Sequence, residues 1–356
     1  MHMDLNKLRK EIDTIDEQLL VLLRQRMEVV KQVGVLKSKE KSVIYRPERE
    51  KAIVDRLCRL GTGALNRSAV EAIFQEIFAV SRNIELPERV AFLGPDGSFT
   101  HQAAESRFGA MSEYLPISSI TSVFHAIETG RARFGVVPIE NNQEGVVHET
   151  ILRLAKSPLK IVSEIPMPIH FSLASQSDRV DDIKTIYSRD IAFRQCRGFL
   201  EDTISEDVQL INVNSTSIAA KMAAEDPSAA AICSHIAARN YKLPIAFENI
   251  EDSEDNQTRF LILGKDFVNQ KSTSDKTTIL AKISDGPGAL VDFLKDFHAQ
   301  NINLKKIESI PAKKGKSFAY WFFIDFEGHF SDPQVKEIFD KHKKEIKLLG
   351  SYVMLC

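Results

Sequence analysis

Arg26 interrupts an apolar seam. Leu5, Leu8, Ile12, Ile15, Leu19, Leu22, Val29, Val33 and Leu36 recur at alternating steps of three and four, and Arg26 takes the one place in that series held by a charge. A guanidinium on an apolar face must meet an anion or destabilise that face strongly. Lys37 stands about three helical turns further on and shares the face of Arg26. Arg9 lies about 100° round the helix from Arg26 and about 25 Å away along it. It therefore cannot easily serve the same ligand from the same chain, but can serve a partner's.

A second group of reactive types sits far downstream. Thr258-Arg259-Phe260, in the stretch DNQTRFLIL, sets a hydroxyl, a guanidinium and an aromatic ring just before an apolar strand. Two polar, glycine-containing segments precede it: GPDGSFTHQAA at 94–104 and VPIENNQEGVVHET at 137–150. A lone Thr-Arg-Phe is most often just a strand edge with a surface arginine. The three segments in this order and spacing carry more weight.

The elements that must position these residues fall into three blocks along 356 residues. Residues 4–86 read as helical throughout. A single first helix from about Asp4 to Ser38 would be roughly 50 Å long. The rest of that block is too small to cover its seam, so a partner chain is expected to. Pro47 can open a second helix, with Arg49 and Glu50 in its first turn. Ser68-x-x-Glu71 reads as a capping box opening a third, whose buried face is Val70, Ile73, Phe74, Ile77 and Phe78, continued by Ser81 and Glu85. Residues 88–265 alternate short apolar strands with helical stretches, an α/β pattern. Lys265–Lys276 reads as a polar linker. Residues 277–356 read strand, helix, strand, strand, helix, strand, the ferredoxin-like order of an α+β unit.

Within the second block, Arg89–Leu93 runs as a strand into Gly94-Pro95-Asp96-Gly97, and Ser98 opens a helix whose N-terminus suits an anion. Phe134–Ile139 is a buried strand that delivers Glu140, Asn141 and Asn142. Tyr187–Cys196, Asn214–Ser217 and Ala229–His235 repeat the strand-then-polar-turn theme. Polar residues at strand ends of open α/β sheets line a crevice. His101 reads as structural.

Net charge is −2 with 27% charged residues, so no nucleic-acid or membrane footprint is expected. No apolar run approaches the ~18 residues of a membrane span. The N-terminus lacks a secretory apolar core. Cys58, Cys196, Cys233 and Cys356 are scattered without Cys-x-x-Cys spacing. They read as reduced thiols of a cytoplasmic protein with no metal site.

The three downstream segments resemble the signature of prephenate dehydratases. The first block, in LRKEIDTIDEQLLVLLRQR, VGVLK, PERE and IFQEIFAVSRNIE, resembles the all-helical chorismate mutase domain. Asp285-Gly286-Pro287-Gly288-Ala289-Leu290 and NINLKKIESIP (301–311) look like an ACT amino-acid sensor. The resemblances imply a multidomain chain: an all-α mutase domain at 1–87, a two-lobed, periplasmic-binding-protein-like α/β dehydratase domain at 88–266 and a ferredoxin-like ACT domain at 277–356. They imply a mutase site lined by Arg26, Lys37, Arg49, Glu50, Ser81 and Glu85, with Arg9 from the partner chain. Lys37 and a protonated Glu85 could donate to the ether oxygen of chorismate. Many relatives have glutamine at the position of Glu85, and some have an acidic residue at that of Arg46. In the dehydratase, the resemblance marks Thr258 as proton donor, with Ser98, Glu140, Asn141, Ser215, Thr216, Arg259 and Phe260 about prephenate. Arg189 stands where many relatives have histidine. Phenylalanine, as allosteric inhibitor, would meet Gly288, Ala289, Leu290, Asn303, Leu304, Glu308 and Ser309. The family's Glu-Ser-Arg-Pro here has Ile310 in place of arginine. No cofactor is implied; the substrates are chorismate and prephenate, and the assembly is a homodimer or a tetramer of dimers.

Three other readings stand beside this one. A non-catalytic amino-acid-binding regulator built from degenerate domains would not need Arg26, Lys37, Arg49 and Thr258 intact. A monofunctional dehydratase would use the first block only as a helical dimerisation arm. A periplasmic binding protein would explain two lobes, but would need a signal peptide.

Overall fold

A computed structural model describes residues 4–40, 44–253, 255–284, 286–312 and 319–355. Asp285 and Cys356, singled out above, lie outside them.

Three helices form the first part: α1 (Leu5–Glu40), α2 (Pro47–Arg59) and α3 (Arg67–Glu85). Pro47 occupies the start of α2, where a missing N–H costs nothing. The start of α3 corrects the capping box. Asn66 is the cap and accepts from Ala69 N at 2.8 Å, while Ser68 already lies inside the helix. Along its first half the apolar seam of α1 is not covered by any of the described residues, with Leu22 60% exposed and Ile12 56%. Further along, α1 packs against α3.

The middle part begins with β1 (Arg89–Leu93), α4 (Phe99–Phe108), β2 (Glu113–Ile117), α5 (Ile120–Glu128), β3 (Phe134–Asn141), β4 (Gly145–Val146), α6 (His148–Lys156) and β5 (Lys160–Pro168). It crosses into β6 (Ser172–Ser175), β7 (Thr185–Ser188), α7 (Asp190–Gln195), α8 (Arg197–Thr203), β8 (Gln209–Asn212), α9 (Thr216–Glu225), β9 (Ala229–Cys233), α10 (His235–Asn240) and β10 (Ile245–Phe247). It then returns through β11 (Gln257–Gly264). Two sheets result, hence two lobes. One has the order β2-β1-β3-β11-β5 with β4 on β3; the other is β10-β6-β9-β7-β8. Strands β1, β2 and β3 are parallel, whereas β11 lies antiparallel between β3 and β5. The two crossing segments pair with each other, Ile169 N to Asn256 O at 2.8 Å and Ile250 N to Phe171 O at 3.0 Å. Thr258 follows directly on that crossing.

The last part comprises β12 (Asp275–Ala281), α11 (Ala289–Ala299), β13 (Leu304–Ala312), β14 (Ala319–Glu327), α12 (Pro333–Lys341) and β15 (Ile346–Val353). Its sheet is antiparallel in the order β13-β14-β12-β15. One face carries the two helices over Ile279, Ala281, Ile324 and Phe326. The other face, with Leu280, Ile310, Phe323, Leu349 and Tyr352, shares one core with Ile161, Leu261 and Leu263 of the middle part.

That shared core corrects one expectation. The segment 265–276 is not a free linker: Phe267 is buried in the core of the middle part, and Asn269 donates to Val162 O at 2.9 Å and Ser351 O at 2.8 Å. Asp275 and Lys276 already belong to β12. Ile310, which stands where the family has arginine, is 2% exposed and packs in the shared core.

The first part is anchored in the same way. Tyr45, 1% exposed, inserts its ring beside Phe108 at 5.4 Å and Phe134 at 5.6 Å in the core of the middle part.

Candidate active sites

A cavity of about 700 Å³ opens between α1, α2 and α3. Its walls hold Arg26, Lys37, Arg49, Glu50, Ser81 and Glu85, the six same-chain residues expected, on apolar surface from Val29, Val33, Ile53 and Phe78. Helix periodicity places Arg26 and Lys37 on one stripe of α1 facing Ser81 and Glu85, one turn apart on α3. Arg26 Nη1 donates to Ser81 Oγ, and Ser81 Oγ donates to Ile77 O at 2.6 Å. Burial lowers the Arg26 guanidinium from its ordinary value, while Glu50 and Glu85 push it back up. Arg9 is exposed on the outer half of α1 and takes no part in this cavity.

Lys37 Nζ lies 2.8 Å from Glu85 Oε2. Both side chains line the cavity.

Sequence reasoning missed Arg82. It is 3% exposed and pairs Nη1 with Glu50 Oε1, Nε with Glu88 Oε2 at 3.3 Å, and donates from Nη2 to Arg107 O at 2.5 Å. Its guanidinium also stands 5.0 Å over the Tyr45 ring. Burial raises the Glu50 carboxyl and Arg82 draws it back down. Burial lowers Arg82, but Glu50 and Glu88 more than compensate, so it stays charged. Arg46 joins the cavity as a further cation.

A second cavity, of about 520 Å³, is lined by Glu140, Asn141, Thr258, Arg259, Lys306 and Glu308, among others. Register pairs Thr258 with Asn141 across β11 and β3. Asn141 Nδ2 donates to Thr258 Oγ1 at 2.8 Å and to Asn256 Oδ1 at 2.9 Å. Asn256 Nδ2 continues the chain to Gln195 Oε1 at 3.1 Å, and Gln195 Nε2 to Gln143 Oε1 at 2.6 Å. A hydroxyl that accepts from an amide keeps its own proton to give.

Several expected binding residues are used otherwise. Phe260 is 2% exposed and packs in the core, so it cannot face a ligand. Arg259 is enclosed by carboxylates: Nε stands 2.6 Å from Glu140 Oε1, Nη1 2.6 Å from Asp325 Oδ2 and 3.1 Å from Glu164 Oε2. Burial lowers its basicity and Asp325 and Glu164 restore it, while Nη2 is buried without a hydrogen-bond partner among the described residues, and Arg259 lines the Thr258 cavity. Ser98 caps α4, accepting from His101 N at 3.2 Å and donating to Leu93 O at 3.0 Å. Ser215 caps α9, accepting from Ile218 N at 3.0 Å, and Thr216 is buried beside it. These three are not walls of the Thr258 cavity. The lobes meet at the turn before Ser98, where Ser217 Oγ donates to Asp96 O and Ser234 Oγ to Gly97 O, the latter at 2.7 Å.

In the last part, Gly288 has φ 81°, a left-handed conformation suited to glycine, and Ala289 and Leu290 open α11 without a side-chain cap. Leu304 packs under that helix, and Asn303 O accepts from Glu327 N at 3.0 Å. Strand alternation separates the other two expected effector residues. Ser309 faces solvent, whereas Glu308 turns with Lys306 and Ile310 toward the middle part and lines the Thr258 cavity. That placement corrects Glu308 as an effector contact.

The family model of prephenate dehydratase matches residues 90–267, and that of chorismate mutase type II matches 8–86. A bifunctional chorismate mutase/prephenate dehydratase of Aquifex aeolicus is 43% identical over 98% of both chains. The chain belongs to the bifunctional chorismate mutase/prephenate dehydratase family. A second relative of that description, from Pseudomonas aeruginosa, is 38% identical over 98% of this chain and 97% of its own. Among solved structures, the prephenate dehydratase of Arthrobacter aurescens in complex with L-Phe matches with TM-score 0.68 and 31% identity, covering 75% of this chain and 90% of that one. The enzyme thus combines an isomerase and a carbon–oxygen lyase of phenylalanine biosynthesis. Among the described residues, no group of three or more His, Cys, Asp or Glu is placed to hold a metal, and no helix is long and apolar enough to cross a membrane.

Proposed function

We propose that the cavity between α1, α2 and α3 is the mutase site and that the Thr258 cavity is the dehydratase site. The gathering of Arg26, Lys37, Arg49, Ser81 and Glu85 around one cavity carries the first assignment. Chorismate rearranges in one pericyclic step that needs no nucleophile. Arg26, Arg49 and a partner's Arg9 hold its two carboxylates so that the reacting ends meet, an orientation effect. Lys37 donates to the ether oxygen, which gains negative charge as its bond to carbon breaks.

Thr258 carries the second assignment. In prephenate the bond from ring carbon to carboxylate breaks, CO2 departs, and the electron pair aromatises the ring while the ring hydroxyl leaves. Thr258 Oγ gives that hydroxyl its proton, so water departs rather than hydroxide. Asn141, donating to the same oxygen, stabilises the alkoxide that remains.

The last part, with its strand-helix-strand-strand-helix-strand order, is read as a ferredoxin-like ACT domain of about residues 275–355 that binds phenylalanine around Gly288–Leu290, as supported by the L-Phe in the Arthrobacter structure. The mutase domain covers 1–87, and the middle part is a two-lobed dehydratase of periplasmic-binding-protein type. Exposed apolar residues along α1 support a homodimer or a tetramer of dimers, and the biosynthetic relatives support work in the cytoplasm. One assay tests the whole reading: chorismate supplied to the full chain should yield phenylpyruvate, less so with phenylalanine present. Accumulation of prephenate alone would refute the dehydratase assignment.

A further inference from the structure

Six charges meet where the last part touches the middle part, three of each sign. Arg259 and Glu140 stand on the strands that carry Thr258 and Asn141, and Glu164 stands on β5 beside them. Lys276, Lys306 and Asp325 come from β12, β13 and β14. Asp325 is 1% exposed; its Oδ2 lies 2.6 Å from Arg259 Nη1 and its Oδ1 accepts from Thr278 Oγ1 at 2.6 Å. Lys276 Nζ pairs with Glu164 Oε2 at 2.5 Å. Lys306 Nζ pairs with Glu140 Oε2 at the wall of the Thr258 cavity.

We infer that the last part supplies positioning residues for the dehydratase: Lys306, acting through Glu140, and Asp325, acting through Arg259. This rests on reading the Thr258 cavity as the dehydratase site. Glu140 is bound on one side by Arg259 of its own lobe and on the other by Lys306 of the last part. It is therefore fixed only while the two parts are docked. Register pairs Arg259 with Glu140 and Thr258 with Asn141, so any shift of the Arg259–Asp325 contact moves the strand that aims the Thr258 hydroxyl. An isolated buried charge is costly, so the cluster holds only as a set. Lys306 and Glu140 are each about a quarter exposed, enough for a ligand in the cavity to feel their loss but not for water to substitute freely.

The test uses the full chain and measures dehydratase kcat and KM with prephenate, with mutase activity as the folding control. Lys306→Ala should lower dehydratase kcat about tenfold to a hundredfold, the scale of a small misplacement of reacting groups, with KM within about twofold and mutase activity kept. Lys306→Arg should recover most of the loss, because it can still pair with Glu140. Glu140→Gln should show the same loss, and the double variant no more than either single. Asp325→Asn, which keeps the shape but drops the charge opposite Arg259, should also lower kcat with mutase activity kept. Unchanged kcat and KM in Lys306→Ala would overturn the inference, as would a double variant whose losses multiply. A rise in KM alone would overturn it too, making Lys306 a direct substrate contact. Thr258→Ala separates the two readings: if it remains active, the site assignment itself fails; if it is inactive while Lys306→Ala is normal, only the positioning role fails.

Discussion

Asn141 Nδ2 donates to Thr258 Oγ1 at 2.8 Å across the paired strands β3 and β11. The two residues are 117 apart in sequence, and the pairing register alone brings them together. Asn141 Oδ1 is itself fixed by the N–H groups of Gln143 and Glu144, each at 2.9 Å. The amide therefore cannot flip, and the threonine proton is left free to leave.

Thr258→Ala should lower dehydratase kcat by about 10²–10⁴, the usual worth of a positioned proton donor. Mutase activity should hold, since its cavity shares no residue with this one. Asn141→Asp should also impair the dehydratase, because a carboxylate cannot donate to Thr258. Steady-state rates on prephenate and chorismate check both; near-normal dehydration by Thr258→Ala would remove the hydroxyl from the reaction.

The exposed half of α1 leads to a complementation experiment. Arg9 lies outside the cavity of its own chain, while Arg26 lies within it. Arg9→Ala and Arg26→Ala should each abolish most mutase activity alone. Unfolded and refolded together, they form heterodimers in which one of two sites has both arginines. Random pairing then returns about a quarter of the wild-type rate. Heterodimers seen by native mass spectrometry with no recovered rate would place Arg9 outside the partner's site.

His101 gives a pH prediction. Its Nδ1 accepts from Gly97 N at 3.1 Å, and its ring stacks on Phe92 at 4.5 Å, so the fold prefers neutral imidazole. Burial lowers its pKa from the ordinary 6.5, against the smaller upward pull of Asp96. The folded pKa is thus below the unfolded one. The associated stability is complete above about pH 6.5 and is lost as pH falls through the unfolded value toward the folded one. Between about pH 8 and pH 5, the melting temperature of wild type should fall more steeply than that of His101→Gln. Parallel curves would show that His101 does not couple to folding.

How much of this was legible in the sequence follows from the range of each signal. Arg26 and Lys37 could be placed because helical periodicity is local and both sit on one stripe of α1. The strands ending in Glu140 and Asn141 were equally legible, being apolar runs that stop at polar residues. Arg82 could not be read, because its partners Glu88 and the Arg107 carbonyl depend on how α3 docks against β1 and α4. Lys306 and Asp325 were hidden for the same reason: they act across a contact between separate parts of the chain. Phe260 misled because motif membership says nothing about the direction of a side chain, and this ring fills the core. Glu308 misled because alternation along β13 could be counted, but which face met the middle part could not.

The docking of the last part offers the final prediction. At Gly350 on β15, an added Cβ would stand 2.3 Å from the Ile161 carbonyl oxygen on β5. That neighbour is backbone and cannot rotate away. Nearby contacts fix the same surface: Lys160 Nζ donates to Leu348 O at 2.6 Å, and Lys347 Nζ to Leu154 O at 2.8 Å and Ser157 O at 2.7 Å. Gly350→Ala must therefore push the two strands apart, at a cost of about 1–3 kcal/mol, as for other overpacked interiors. Gly286→Ala is the control, since nothing lies within 4 Å of its added Cβ. Separation of β15 from β5 also draws Lys306 and Asp325 away from Glu140 and Arg259. Dehydratase activity should then fall further than mutase activity in Gly350→Ala, at a temperature where both variants remain folded by circular dichroism. Equal melting temperatures for the two alanine variants would mean that β15 and β5 do not approach each other this closely in solution. An equal fall in both activities would mean that the close approach serves overall stability rather than the Thr258 cavity.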